Sequence, residues 1–475
     1  MLSSAVLGLA LAAGAATPAE KACPEGLPAA TRCLTGQDQN GAYYWIAIPK
    51  AWNGSLVVHA HGGPRLKTPK PDDAVEDLQR FAVTVAEGYA WAGSNYRREG
   101  YGVRSAAEDS DNLRKLFWSN FGRPKHTLLH GQSWGGNVAA KTAELYGKDA
   151  DGKLVYDGVI LTSGVLGGGT RSYDFRADLR AVYQYYCGDH PSKDEAQYPL
   201  WQGQPVGSKL TNKQLQERLN ACTGVDLPAD RRTAEQKRKL ANILAVIRIP
   251  ERTLDSHLTW ATFTFADMVN KRLGGRNPFS NVGVAYQGSN DDKALNEGVT
   301  RFAADPEGVR RLSEDSDLSG KLLVPTLTMH AIDDPTAFVE LEHVFHDTVA
   351  KAGKSDLLVQ SFTDEHEHSK LATPEYAALL RAMSAWIEQG TKPTPSSLAA
   401  GCAEAAQTYG EACHFEVDYR PPPLSTRSYP RVKPGLRDSG DTTKDKTPTR
   451  GSTGPTRAAD LRDEARYERH DPEIP

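Results

Sequence analysis

His126-Thr127-Leu128-Leu129-His130-Gly131-Gln132-Ser133-Trp134-Gly135-Gly136-Asn137-Val138-Ala139-Ala140-Lys141 is the stretch that decides how this chain is read. Its first five residues are a short apolar run of strand length, and 137–146 carries the small and apolar residues of a buried helix. Between them, G-Q-S-W-G reverses the chain within a few residues. A turn that tight needs small flanking residues, which the glycines at 131, 135 and 136 supply. It also projects the Ser133 hydroxyl from the sheet edge, with a helix N-terminus beneath it that favours negative charge. A glycine-rich turn with an idle serine is the bland reading of the same residues. The flanking strand and helix argue for the functional one.

Outward from this turn, short apolar runs alternate with helical patterns. Strands are expected at 43–48, 55–60, 89–94, 126–130 and 158–163, and helices at 109–121 and 137–146. This rhythm predicts an α/β fold with a parallel sheet and crossover helices. It stops after the glycine cluster at 164–169, and 170–319 reads as mostly helical. It returns with strands at 322–329 and 357–362, a helix at 339–351 and a closing amphipathic helix at 374–389. The expected organisation is one core in two halves, 20–169 and 320–419, separated by a helical insertion at 170–319. Residues 420–475 are rich in Pro, Arg, Thr, Asp and Gly and poor in large apolar residues, so a disordered tail is expected there.

Acyl transfer needs donors aimed at a developing oxyanion. His61-Gly62-Gly63-Pro64 closes the strand at 55–60, where glycines let backbone N–H groups approach a carbonyl oxygen. Gly63, with Trp134 next to the serine, is the expected donor pair; the alternative is that HGGP is simply a turn. With these motifs in place, 43–390 resembles the α/β-hydrolase superfamily of serine hydrolases. The resemblance implies a mostly parallel sheet flanked by helices, with a large, mainly helical cap inserted before the strand that carries the catalytic acid. It also implies a triad in chain order Ser, acid, His. His330-Ala331-Ile332-Asp333-Asp334-Pro335 is similar to the family's H-G-x-x-D-P pattern, which selects Asp334 with Asp333 as the alternative. Two aspartates capping the next helix is the non-catalytic reading. In the loop at 363–371 the family's register selects His368, while Glu367 in the place of the usual glycine keeps His366 open. Histidines flanking carboxylates also suit a metal site, but no H-E-x-x-H helix is present, so neither metal nor cofactor is expected.

The default activity this implies is cleavage of a carboxylic ester through an acyl-enzyme. H-G-G-P with G-x-S-W-G-G is also similar to prolyl iminopeptidases and exported tripeptidyl aminopeptidases. Those hold a substrate amino group with cap acids, and Glu251, Asp255, Asp267, Asp291 and Asp292 are available, although Arg65 breaks the longer H-G-G-P-G form. A reading of another class is a binding protein that kept the fold and lost its triad. The aromatics Tyr183, Tyr185, Tyr186, Trp201, Trp260, Phe263 and Phe265 either line an acyl pocket or form the cap's own core.

Composition sets the outer bounds. The 475 residues are 39% hydrophobic and 24% charged, with a net charge of −4 and no basic stripe, so nucleic acid is not an expected partner. A small-molecule ester or short peptide is. After the N-terminus no apolar run approaches the ~20 residues that span a bilayer. The run at 5–16 (AVLGLALAAGAA) has signal-peptide length and small residues at a cleavage position, although no Lys or Arg precedes it. Residues 1–19 are therefore the expected signal peptide of a secreted or periplasmic protein. The six cysteines fall into near neighbours, 23 with 33, 187 with 222 and 402 with 413. They allow 15 connectivities, of which local pairing is the economical one for an oxidising compartment.

Overall fold

The structure, a computed structural model, describes residues 17–434. The signal-peptide run at 5–16 and the tail from 435 lie outside the described residues. The described residues hold nine strands, of which the last seven follow the expected apolar runs: β1 (Ala19–Lys21), β2 (Arg32–Gln37), β3 (Tyr43–Ile48), β4 (Leu56–Ala60), β5 (Ala90–Ser94), β6 (Thr127–Gln132), β7 (Gly158–Thr162), β8 (Thr326–Ala331) and β9 (Leu358–Thr363). They form one sheet in the order β1-β2-β3-β5-β4-β6-β7-β8-β9. The neighbours from β1 to β5 pair antiparallel, and all later neighbours pair parallel. This is the α/β-hydrolase arrangement expected from the sequence.

Among the early strands the chain forms helices α1 (Val75–Arg80), α2 (Ala82–Ala86), α3 (Val103–Phe121) and α4 (Trp134–Tyr146). After β7 come α5 (Gly169–Ser172), α6 (Asp174–Cys187), α7 (Asn212–Thr223), α8 (Ala234–Ile247), α9 (Leu254–Thr259), α10 (Phe265–Asp267), α11 (Asp292–Gly298) and α12 (Pro306–Ser316), which add no strand to the sheet. Helix α13 (Glu340–Lys351) joins β8 to β9, and α14 (Thr373–Gln389) and α15 (Pro395–Tyr409) follow β9.

The strands are buried on both faces, and their period of two divides the core. Leu56 and Val58 of β4 and Leu129 of β6 pack with α3 and α4. Val57 and Leu128 pack on the other side with α2, α14 and α15. Strand β8 begins at Thr326, later than the apolar run at 322–329 suggests, because Pro325 has no N–H to give the ladder.

Disulfides join Cys23 to Cys33, Cys187 to Cys222 and Cys402 to Cys413, the local pairing expected. They close stretches of 10, 35 and 11 residues, each worth about 3 kcal/mol in the chain-entropy account. Three such bonds suit an oxidising, extracellular setting. No helix among the described residues is long and apolar enough to cross a membrane.

The tail boundary is corrected. Residues 420–434, expected to be disordered, are packed against α6 and α8. Tyr429 donates its hydroxyl to the Val246 carbonyl at 2.8 Å. Arg431 pairs with Asp178 at 2.5 Å and Lys433 with Asp174 at 2.5 Å, all four side chains buried. Two interior carboxylates need cations, and the polar composition that suggested disorder is what supplies them. Arg431→Ala should accordingly cost about 3–5 kcal/mol in denaturant unfolding by leaving Asp178 alone. The same change at the exposed Arg420 should cost under about 0.5 kcal/mol. Equal losses would show that the ion pair is unimportant.

Candidate active site

Ser133 caps α4 with φ 59° and ψ −127°, a backbone conformation that L-residues adopt rarely. The turn holds because nothing intrudes on it. A Cβ on Gly131 would overlap the Gly135 carbonyl, and one on Gly135 would overlap the Ala60 carbonyl. The Ser133 N–H donates to Thr162 of β7 at 3.0 Å, and its carbonyl accepts from Gly136 and Val165, each at 3.0 Å.

His368, in the loop after β9, reaches this serine. Its Nε2 lies 2.8 Å from Ser133 Oγ, and its Nδ1 lies 2.7 Å from Asp334 Oδ2. Asp334 is buried just past β8, and its Oδ1 accepts from the backbone N–H of Thr336 at 2.8 Å and Ala337 at 3.0 Å. The rivals Asp333 and His366 pair with each other at 2.9 Å. Both are on the surface, 63% and 65% exposed, and neither joins the relay.

A residue that the sequence offered only as part of a pattern completes this charge arrangement. His330 is fully buried between Asp334 and Glu342. Its Nδ1 lies 3.2 Å from Glu342 Oε1, and its Nε2 lies 2.6 Å from the Ala337 carbonyl. Burial opposes its protonation, but the two carboxylates outweigh that and lift it to about 10. Burial likewise opposes charge on Asp334, yet His368 and His330 outweigh it and hold the carboxyl well below the usual range.

The loop that carries His368 is tied from behind. Gln132 donates to Ser369 Oγ, and Arg80 donates to the Ser369 carbonyl. Arg80 also reaches Gln132 Oε1 at 3.4 Å. Ser369 has a φ of 60°, so these contacts fix a strained residue next to the histidine. Gln132 sits inside the G-x-S-x-G motif and was open to inspection; no local signal marks Arg80.

Gly62 packs against the Gln132 side chain, which brings the HGGP loop alongside the serine turn. Gly63 has a φ of +73° with open space where a Cβ would stand. Trp134 is the first residue of α4, where a backbone N–H has no partner within the helix. His59 of β4 and His61, just past its end, both turn toward Asp77 of α1, at 3.5 and 2.5 Å. Burial opposes the charge on Asp77, but His61 and His59 prevail and keep it well below the ordinary carboxylate range. His59 continues to His130 at 3.0 Å, and His130 to Thr162 Oγ1 at 3.1 Å. These contacts tie the HGGP loop to α1 and β6.

The acids at 251–292 do not converge. Asp267 accepts from the Tyr101 N–H at 2.6 Å, Glu251 pairs with Arg232, and Asp291 and Asp292 accept from N–H groups of their own turn. Asp255 stands partly exposed on α9. Of the aromatics there, Tyr183 and Phe265 are buried in the core, and Trp260 stacks on Tyr173 at 4.3 Å. Among the described residues no three His, Cys, Asp or Glu side chains are placed to hold a metal ion.

No family model matches the chain. Among curated proteins it is similar to an o-phthalyl amidase from Xanthobacter agilis, 25% identical over 122 residues. That stretch is 25% of this chain and 25% of the amidase, so the match spans a quarter of each protein. Similar solved structures include an esterase from Aspergillus oryzae, 14% identical with a TM-score of 0.44, covering 76% of this chain and 81% of the esterase. Feruloyl esterase B from Aspergillus oryzae is 15% identical with a TM-score of 0.43, covering 79% and 88%. An acylaminoacyl peptidase from Pyrococcus horikoshii is 11% identical with a TM-score of 0.33, covering 74% and 41%.

The raised proton affinity of His330 has a consequence for stability. Its contribution is complete below its ordinary value of 6.5 and is lost as pH rises through about 10. Thermal melts should show Tm falling between pH 7 and pH 10. His330→Gln should lower Tm at pH 7 and flatten that fall, and an unaltered slope would remove the assigned charge.

Proposed function

We propose that this protein is a secreted serine hydrolase that cleaves carboxylic esters through an acyl-enzyme on Ser133. One observation carries the reading: a serine on a strained strand–helix turn, 2.8 Å from an imidazole whose other nitrogen faces a buried carboxylate at 2.7 Å. In the proposed reaction Ser133 Oγ attacks the substrate carbonyl while His368 Nε2 takes its proton. Asp334 holds the ring in the tautomer with a free Nε2 and stabilises the imidazolium that forms. The N–H groups of Gly63 and Trp134 receive the oxyanion. His368 then protonates the leaving alcohol, and water repeats the sequence to release the acid. Residues 170–319 act in this reading as the cap that shapes the substrate pocket. Helices α10 and α12 support it, since Asp267 and Asp315 accept from the N–H groups of Tyr101 and Val103 that lead into α3.

The similarity to an amidase brings amide substrates into the test. An aminopeptidase draws less support, because Glu251, Asp267, Asp291 and Asp292 are committed elsewhere and Asp255 by itself is no cluster for a protonated amine. An idle binding protein would lack a member of the relay, and none is lacking. Export by an N-terminal signal peptide agrees with the three disulfides.

A fluorophosphonate probe followed by turnover of p-nitrophenyl esters and arylamides tests the proposal. The expected result is labelling at Ser133 with ester hydrolysis, while Ser133→Ala loses label and about three to six orders of magnitude in kcat with its fold intact. Asp334→Asn should lose about four orders, and Asp333→Asn should lose little. His368→Ala should be as severe as Ser133→Ala, with His366→Ala mild. An unlabelled protein that turns over none of these substrates would end the proposal.

A further inference from the structure

Arg176 is the third residue of α6 and only 5% exposed. Among the described residues no acidic side chain reaches it, and its buried Nε has no hydrogen-bond partner. The guanidinium instead lies against rings, with Cζ 4.4 Å from the centre of Trp260, 4.8 Å from Phe175 and 5.5 Å from Tyr173. A buried cation without a counter-charge is costly, and the first turn of a helix is where a cation is least welcome. The helix does hold carboxylates two residues to either side, Asp174 and Asp178. They face the other way and are taken by Lys433 and Arg431. Desolvation lowers the Arg176 pKa to about 10, which still leaves it charged at neutral pH.

Two chains of contacts show where this charge sits. Trp134, next to the nucleophile, meets Tyr101 at 5.8 Å. Tyr101 meets Tyr173 at 5.9 Å, and Tyr173 is stacked on Trp260 beneath the guanidinium. From the acid's side, the Pro335 carbonyl is 2.9 Å from His257 Nε2, and His257 lies edge-on to Phe175 at 5.0 Å. Arg176 is therefore three contacts from the residue after Ser133 and three from the residue after Asp334. The indole Nε1 of Trp134 and the Tyr101 hydroxyl are also buried without a partner, so every unsatisfied group on this path can donate a hydrogen bond.

We propose that Arg176 is the anion-recognising residue of the substrate pocket, so that the enzyme prefers esters or amides bearing a carboxylate. This rests on the serine hydrolase reading of the same site. A planar guanidinium takes a carboxylate through two parallel hydrogen bonds, and the flanking rings offer a flat surface to the group that carries it. The bound anion supplies the counter-charge that Arg176 lacks.

Matched substrates test this. One arm compares mono-p-nitrophenyl adipate with p-nitrophenyl methyl adipate, placing the carboxylate on the acyl side. The other compares the acetyl ester of 4-hydroxybenzoate with phenyl acetate, placing it on the leaving group. The native enzyme should favour the anionic member of one arm by about 10- to 100-fold in kcat/KM. Arg176→Met should abolish that ratio, and Arg176→Lys should retain part of it. A ratio near one in both arms, or one unchanged in Arg176→Met, would overturn the proposal. Thermal shift with adipate and with 4-hydroxybenzoate decides independently of turnover. One of them should stabilise the native protein and Ser133→Ala but not Arg176→Met, whereas no shift or equal shifts in all three would overturn it. Without ligand, Arg176→Met should melt no lower than the native protein; a loss of many degrees would make Arg176 a structural residue and also overturn the proposal.

Discussion

Ser133 at positive φ is the constraint on which the rest of the site depends. A non-glycine residue there costs on the order of 1–3 kcal/mol and persists only where its surroundings leave no alternative. Here β6 supplies the approach, α4 the departure and Thr162 of β7 the hydrogen bond that pins the serine's N–H. The missing side chains of Gly131 and Gly135 let the helix start against the end of β4. Parallel strands on either side of β6 deliver their loops to the same edge. The HGGP loop, the serine and the loops after β8 and β9 therefore meet because the sheet is parallel there, not because they are near in sequence.

The acid side is organised by charge rather than by backbone strain. Glu342, His330 and Asp334 form a buried line of alternating sign, with His368 at its open end. Glu342 also accepts from Thr328 at 2.8 Å and from Gln360 at 2.6 Å, so α13, β8 and β9 all hold it. With Asp334 Oδ1 occupied by two backbone N–H groups, only Oδ2 is free to face the histidine. The orientation of His368 is thus set before any substrate arrives. The low dielectric that makes this pairing expensive is also what makes it rigid.

What the sequence made legible follows from where each signal resides. The strands from β3 onward announce themselves by apolar runs, because both of their faces are buried. The edge hairpin does not: β1 is three exposed residues, and β2 mixes apolar and polar positions. Helix α15 was missed because its run of alanines, serines and a glycine has no strong apolar stripe. Ser133, Asp334 and His368 stood out because each lies in a short local pattern. Arg80 owes its position to contacts across the fold, which no local pattern encodes, and the pattern that contains His330 does not show the charge it carries between Asp334 and Glu342. The family's register selects Asp334 over Asp333 and His368 over His366, and loop geometry turns the selected side chain of each pair inward while the other stays on the surface. The segment at 420–434 went astray for a related reason. Composition counts apolar residues, whereas Arg431 and Lys433 are drawn inside by carboxylates far away in sequence.

Helix α6 makes the last point by contrast within itself. It carries four charged side chains into the interior, Asp174, Arg176, Asp178 and Arg180, the last donating to the carbonyls of His190 and Gly203. On one face the two aspartates are neutralised by a segment more than two hundred residues away, as interior charges normally must be. On the other face Arg176 has aromatic rings and no anion. A purely structural role would be met at lower cost by an apolar side chain among those rings, since cation–π contact recovers only part of the desolvation of a guanidinium. The imbalance also has a direction. It lies on the side from which contacts lead to Trp134 and Pro335, the neighbours of Ser133 and Asp334. In the proposed reading a charge left open at that place is completed by what enters the site, and its sign fits a carboxylate better than an amine, for which the scattered acids at 251–292 form no cluster.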